Sequence, residues 1–204
     1  MSNVRTTGKK SSNTLVRDLV NVGIFGALYV IISFLVAFIG YIPVFIVVVC
    51  GLVGLVASIP VFVFFAKIDC PLLCCTLFCF LFGMVMFLTG HDWTIIAMSV
   101  LGGLLAGIAL HVSKKSFWGC TLANMAISIA PSSMLLPLWT NTEQYLELAA
   151  SMCDEEYVAY MTNLGQSYWP LVVEFGLGFI GCFIGSFIAK RVMKKHFERI
   201  GITK

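Results

Sequence analysis

Charge is what this chain of 204 residues has least of: 13 basic and 10 acidic side chains make up 11% of it, against 59% apolar residues and a mean hydropathy of +0.97. A soluble domain carries about a quarter charged residues, so no water-facing surface can be built from this composition. A soluble globular protein, a disordered chain and a nucleic-acid-binding domain are excluded together. The net charge of +3 is too small to imply an anionic partner. Other signatures are missing as well. Gly8-Lys9-Lys10-Ser11 ends like a phosphate-binding loop but lacks the upstream glycine and the strand–helix context, so no ATP site is expected. No serine or cysteine sits in a nucleophile elbow, so a catalytic triad is not expected. The eight cysteines do not read as a disulfide framework, because Cys50, Cys70, Cys74, Cys75, Cys79, Cys120 and Cys182 lie in or beside apolar runs, where a free thiol behaves as a small hydrophobe. Cys70/Cys74 and Cys75/Cys79 have helical spacing but no histidine or carboxylate cluster. Neither a metal nor a cofactor is expected in this chain.

What the sequence does have is long apolar runs. A membrane-spanning helix needs ~20 such residues, and six runs can be marked, at about 19–39, 44–66, 71–88, 94–112, 117–138 and 169–193. They are unbroken, whereas barrel strands are ~10 residues of alternating polarity. The expected fold class is therefore an all-α membrane protein, a six-transmembrane-helix bundle. The polar start at 1–18 is followed by an apolar run without a small-residue cleavage site, which reads as a retained first span. Residues 19–193 form one membrane domain and 194–204 a basic tail.

The basic residues give the orientation. With the N-terminus cytoplasmic, the inner segments hold Arg5, Lys9, Lys10, Arg17, Lys67, Lys114, Lys115 and the tail from Lys190 to Lys204, which is every lysine and arginine in the chain. The three outer loops have none. The positive-inside rule then puts both termini of a multi-pass membrane protein in the cytoplasm. The one long loop, 139–168, is acidic and lies outside. Tyr145, Leu148 and Met152, then Tyr157, Met161 and Leu164, repeat at three and four residues, the stripe of two short amphipathic helices. A loop of this length is usually functional, and it reads as a lid over an outward-facing site.

Polar groups near membrane depth are the candidate site. An ionisable residue in a span is costly and marks function by default; Glu174, five residues into the last span, could bind a cation, accept a hydrogen bond or sit wet at the interface. Asn124 lies deeper in the fifth span and either bonds a neighbouring helix or joins the site. Pro131 and Pro137 interrupt that span, and bared backbone is tolerated only beside protein or a wet cavity. His91, Asp92 and Trp93 cluster after a Thr-Gly turn, offering a donor, an acceptor and a stacking face for a small polar ligand. Tyr41, Trp139, Tyr168 and Trp169 end other spans on the same side, either as interface anchors or as site residues. Gly23 and Ala27, four apart in the first span, suit close packing within the bundle or against a partner.

Short outer turns, a long outer loop before the last span, and the Gly23/Ala27 step resemble the substrate-binding S component of an energy-coupling-factor transporter. Phe25-Gly26-Ala27-Leu28-Tyr29, Leu88-Thr89-Gly90-His91-Asp92-Trp93 and Lys194-Lys195-His196-Phe197-Glu198-Arg199-Ile200-Gly201-Ile202 are similar to the Trep_Strep group of S components, also called the MptD family, from about residue 15 to the C-terminus. The resemblance implies a subunit of an ABC-type importer that captures a water-soluble micronutrient outside the cell. A membrane-embedded T component and two cytoplasmic ATPases would be its partners, and ATP would be used by those ATPases alone. It implies that Gly23 and Ala27 meet the T component, and that the substrate site includes His91, Asp92, Trp93 and Glu174. An acidic lid and Glu174 facing the ligand would favour a neutral or cationic substrate. Two other functions are weaker on the residues. A solitary carrier or channel often shows internal repeats, and none is found between residues 1–100 and 101–204. An intramembrane enzyme needs paired catalytic groups at depth, and the spans offer Glu174 and Asn124.

Overall fold

The computed structural model describes residues 4–199, and the side chains of residues 13–194. The expectations for Arg5, Lys9, Lys10 and the charges beyond Lys194 lie outside the described side chains. The chain is helical throughout: α1 (Val4–Ala37), α2 (Val49–Lys67), α3 (Pro71–Leu88), α4 (Thr94–Val112), α5 (Phe117–Ile127), α6 (Ile129–Ser132), α7 (Pro137–Thr140), α8 (Thr142–Met152), α9 (Glu155–Leu164) and α10 (Trp169–Arg199). Short 3-10 turns at Phe38–Tyr41 and Pro43–Val48 join α1 to α2. Five continuous stretches among the described residues are long and apolar enough to cross a membrane: Asn13–Tyr41, Pro43–Lys67, Pro71–Leu88, Thr94–Val112 and Trp169–Lys194.

The expected fifth span, 117–138, is not one helix. It crosses from one end of the bundle to the other as α5, α6, a 3-10 turn at Ser133–Leu135, and α7. Pro131 and Pro137 have no amide hydrogen to donate to the preceding turn, which forces the break. The serines limit its cost: Ser128 Oγ donates to Met125 O at 2.7 Å and Ser133 Oγ to Ala130 O at 2.7 Å. All of Ala130, Pro131, Ser132 and Ser133 are buried, so the irregular backbone is covered by protein, as lipid requires.

The two ends of the bundle are built differently. At the basic end, buried Asp18 of α1 accepts from the backbone amides of Asp69 (2.8 Å) and Cys70 (2.9 Å), which clamps the α2–α3 turn. Arg17 pairs with Asp69, and the Lys115 ammonium donates to Ile68 O. Between the ends, aromatic rings fill the core: Phe64 stacks on Phe78 at 4.8 Å, and Tyr29 meets Phe78 and Phe82 edge-on at 5.2 and 5.4 Å.

Helices in lipid gain no hydrophobic force from one another, so dispersion and close approach must hold them. Glycine supplies the approach. A methyl group built on Gly181 of α10 would lie 2.0 Å from Gly51 O of α2. One built on Gly103 of α4 would lie 2.7 Å from Cys75 O of α3. The backbones touch, and a side chain there has no room. Gly23 on α1 has nothing within 4 Å, and Ala27 beside it is exposed, so that stripe serves no packing inside this chain.

These contacts separate two classes of glycine. Gly181→Val should lower the melting temperature or abolish folded yield in detergent, since overpacking costs about 1–3 kcal/mol even at sites with some give. Gly23→Val should stay within about 0.5 kcal/mol of wild type. A Gly181→Val protein that melts with the wild type would show that the α2–α10 contact is not made.

Candidate functional site

At the end of the bundle opposite Asp18, the helices part around a cavity of about 340 Å³. Its floor and walls come from α1 and the turn after it (Ser33, Phe34, Phe38, Tyr41), from α2 (Val49, Cys50, Val53), from α3 and its turn (Phe82, Met86, Thr89, His91), and from the broken segment (Pro131, Met134, Leu135). Its roof is the long loop: Tyr145, Leu148, Ala149 and Met152 of α8, Cys153, and Tyr157 of α9. Both lid helices form where the apolar stripe predicts them. Asp154 caps α9 by accepting from Tyr157 N at 2.9 Å. Leu138, Ala149, Tyr157, Met161 and Leu164 pack into a small core of the lid's own.

Glu174 of α10 is the one carboxyl among the described residues of the lining and is 2% exposed. The Cys50 thiol donates to its Oε1 at 3.0 Å, while Oε2 is buried without a hydrogen-bond partner. Buried polar atoms are nearly always paired, and an exception calls for a cause. The pair depends on the glycine seam. Cys50 precedes Gly51, whose carbonyl meets Gly181, two helical turns from Glu174.

His91 sits on the cavity wall with its Nδ1 at 3.1 Å from both Met86 O and Thr89 Oγ1. Thr89 Oγ1 donates its own hydrogen to Met86 O at 2.7 Å. A carbonyl only accepts, so Nδ1 carries the proton and Nε2 is left as an acceptor. Burial pushes the imidazole below its ordinary pKa, and the bond to Met86 O only partly opposes this, so the ring is neutral at pH 7. Burial also drives the Tyr145 and Tyr157 phenols well above their usual range, with nearby thiol, phenol and Glu174 groups adding to it. Both hydroxyls stay protonated, and that of Tyr145 donates to Met161 Sδ at 3.9 Å inside the lid.

Three of the sequence candidates therefore meet at the cavity: Tyr41, His91 and Glu174. The others are placed elsewhere. Asp92 is buried in the turn, with Oδ1 accepting from Thr94 N (2.9 Å) and Oδ2 from the Asn141 amide (3.0 Å). Burial alone would raise its pKa, but these bonds outweigh it and hold the carboxyl below its usual range. It starts α4 and ties the turn to the lid. Trp93 is 65% exposed. Trp139 donates from Nε1 to Ser167 O at 3.1 Å and lies 6.2 Å from the Tyr168 ring, so these two brace the lid's ends. Asn124 lies deeper and shares its amide hydrogens among Ser58 Oγ (2.7 Å), Cys182 O (3.2 Å) and Ser186 Oγ (3.3 Å), linking α2, α5 and α10. Gly23 and Ala27 lie on the outer face of α1.

The sequence reading missed Cys50, Tyr145, Tyr157 and Ser33 as lining residues. For the tyrosines the signal was present, because both lie on the apolar stripes of the lid helices. Cys50 carried none, since its partner is 124 residues away.

One comparison with known proteins is informative. A family model described as a hypothetical bacterial integral membrane protein (Trep_Strep) matches residues 16–199, most of the chain. No curated protein and no solved structure matches it.

The depressed pKa of His91 has a stability consequence. The folded state binds this proton less well than the unfolded chain does. The contribution is therefore present in full above the ordinary imidazole pKa of ~6.5 and is lost as pH falls below it. Wild type should lose more thermal stability than His91→Gln between about pH 7.5 and about pH 5.5. Parallel losses in the two proteins would show that His91 titrates as it does in water.

Proposed function

We propose that this chain, which belongs to the Trep_Strep family of bacterial integral membrane proteins, is the substrate-binding S component of an energy-coupling-factor importer. It captures a small water-soluble micronutrient outside the cell and delivers it inward, driven by a membrane-embedded T component and two cytoplasmic ATPases. The chain is a multi-pass membrane protein, and transport is the role its architecture suits.

The observation that carries this reading is the cavity of about 340 Å³ under α8 and α9, with an unpartnered Glu174 oxygen on its wall. Its volume falls at the lower end of the ~300–1,000 Å³ typical of small-molecule sites. Sidedness supports it. Arg17, Lys67, Lys114, Lys115, Lys190 and Arg191 lie at the end away from the cavity, and the positive-inside rule assigns that end to the cytoplasm. The cavity then opens toward the medium. Glu143, Glu147, Asp154, Glu155 and Glu156, all exposed, stand on the lid above it.

The face of α1 supports the partner. Leu19, Val20, Ile24, Leu28, Ile31 and Leu35 are exposed around Gly23 and Ala27. Lipid would cover such a face, and so would the coupling helices of a T component, for which the small residues allow close approach. On this reading a bound substrate holds the lid shut, and α1 passes that state to the partner at the far side of the bundle.

Co-expression with a T component and two ATPases, followed by affinity purification on this chain, tests the reading. The expected result is a four-protein complex that takes up substrate only with ATP. Gly23→Leu with Ala27→Leu should reduce complex recovery by about tenfold or more while leaving the folded yield of the chain unchanged. Gradient-driven uptake by liposomes holding this chain alone would contradict it and would favour a solitary carrier.

A further inference from the structure

We propose that the cavity takes a small, mostly apolar organic molecule that presents a nitrogen-borne proton to Glu174, as an amine, an amidine or an amino-heterocycle does. The proposal rests on the reading of this cavity as the substrate site and adds the chemical class of the substrate.

The first ground is the unfilled valence. Glu174 is 2% exposed and lies on the cavity wall. Cys50 fixes Oε1, and Oε2 has no partner. A buried carboxylate oxygen left this way is costly, and a donor from a ligand removes that cost.

The second ground is the inventory of the rest of the wall. No lysine or arginine among the described residues lines the cavity. His91 is neutral, with Nδ1 committed to Met86 O and Thr89, so its free nitrogen accepts. The wall thus carries the Glu174 carboxyl and the His91 imidazole, while the Tyr145 hydroxyl is turned to Met161 of the lid. An anionic ligand would be buried with no cation on the described wall to neutralise it, which is strongly unfavourable. A protonated nitrogen would supply the counter-charge that lets the buried Glu174 carboxyl ionise.

The third ground is shape. Phe34, Phe82, Met86 and Met134 make most of the surface apolar, and Tyr145 and Tyr157 stand over it from the lid. Such a surface takes a flat ring, and aromatic faces also attract a cation. A volume of about 340 Å³ admits one or two fused rings with a short side chain and excludes a lipid or a peptide.

Three indoles of nearly equal size and different charge test this: tryptamine, tryptophol and indole-3-propionate. Binding to the purified full chain in detergent is read as protection of Cys153, the half-buried thiol of the cavity's lid, from N-ethylmaleimide, followed by mass spectrometry of the Cys153 peptide. This reports on the cavity and not on the micelle. Tryptamine should protect at a concentration about tenfold or more below that needed for indole-3-propionate, with tryptophol between. In Glu174→Gln, which keeps an acceptor for the Cys50 thiol, the ratio should fall toward one.

Equal protection by the cation and the anion of wild type would overturn the proposal without recourse to the variant. A preference that survives in Glu174→Gln would overturn it as well, and so would no protection by tryptamine at millimolar concentration. Failure of the transport reading shows separately, as failure of the partner subunits to co-purify, so the two are told apart.

Discussion

The close approach of α2 and α10 is the contact on which the rest of the molecule depends. Gly51 meets Leu177 and Gly181, Gly54 meets Cys182 and the Gly178 carbonyl, and Gly185 meets Leu55 and Ser58, with room for hydrogen alone at the tightest point. In lipid this approach replaces the hydrophobic force that holds helices together in water. It also sets the chemistry. Cys50 is one residue before the seam and Glu174 a turn before Gly178, so closing the seam brings thiol and carboxyl to 3.0 Å. A structural device of small residues thus places the carboxyl that lines the cavity.

Polar groups at depth fall into two kinds. Asn124 is satisfied by Ser58, Cys182 and Ser186, while Asp18 holds the amides of Asp69 and Cys70 on Oδ2 and keeps Oδ1 3.6 Å from the Arg17 guanidinium. Each links α-helices far apart in sequence, and neither lines the cavity. Glu174 differs in lining the cavity: its Oε1 accepts from the Cys50 thiol, and its Oε2 is buried without a hydrogen-bond partner. The broken fifth segment belongs to the same logic. Its prolines stop a continuous helix, its serines repair the backbone, and the resulting bend contributes Pro131, Met134 and Leu135 to the cavity wall.

Much of the fold was legible from the chain itself, because lipid imposes rules that act locally. Run length, proline position and the three-and-four repeat of the lid are properties of neighbouring residues, and they marked the spans, the break at Pro131 and both lid helices. Five of the six expected spans are continuous helices, and the sixth is the broken one. The site was less legible. Local clustering drew attention to His91, Asp92 and Trp93, yet only His91 reaches the cavity, because Asp92 is consumed in capping α4 and holding Asn141. Cys50 and Glu174 meet across 124 residues, and no local pattern encodes that. Tyr145 and Tyr157 stood on stripes correctly read as apolar, but a stripe does not say whether it faces a core, a membrane or a ligand.

Lid, Glu174 and glycine seam converge on one claim: the cavity is a binding site whose occupant completes the carboxyl of Glu174. Native mass spectrometry of the protein released from the membrane of its producing bacterium tests this most directly. The account predicts a single small molecule bound to wild type and absent from Glu174→Gln. Equal occupancy of the two proteins, or a wild type that carries lipid alone, would contradict it.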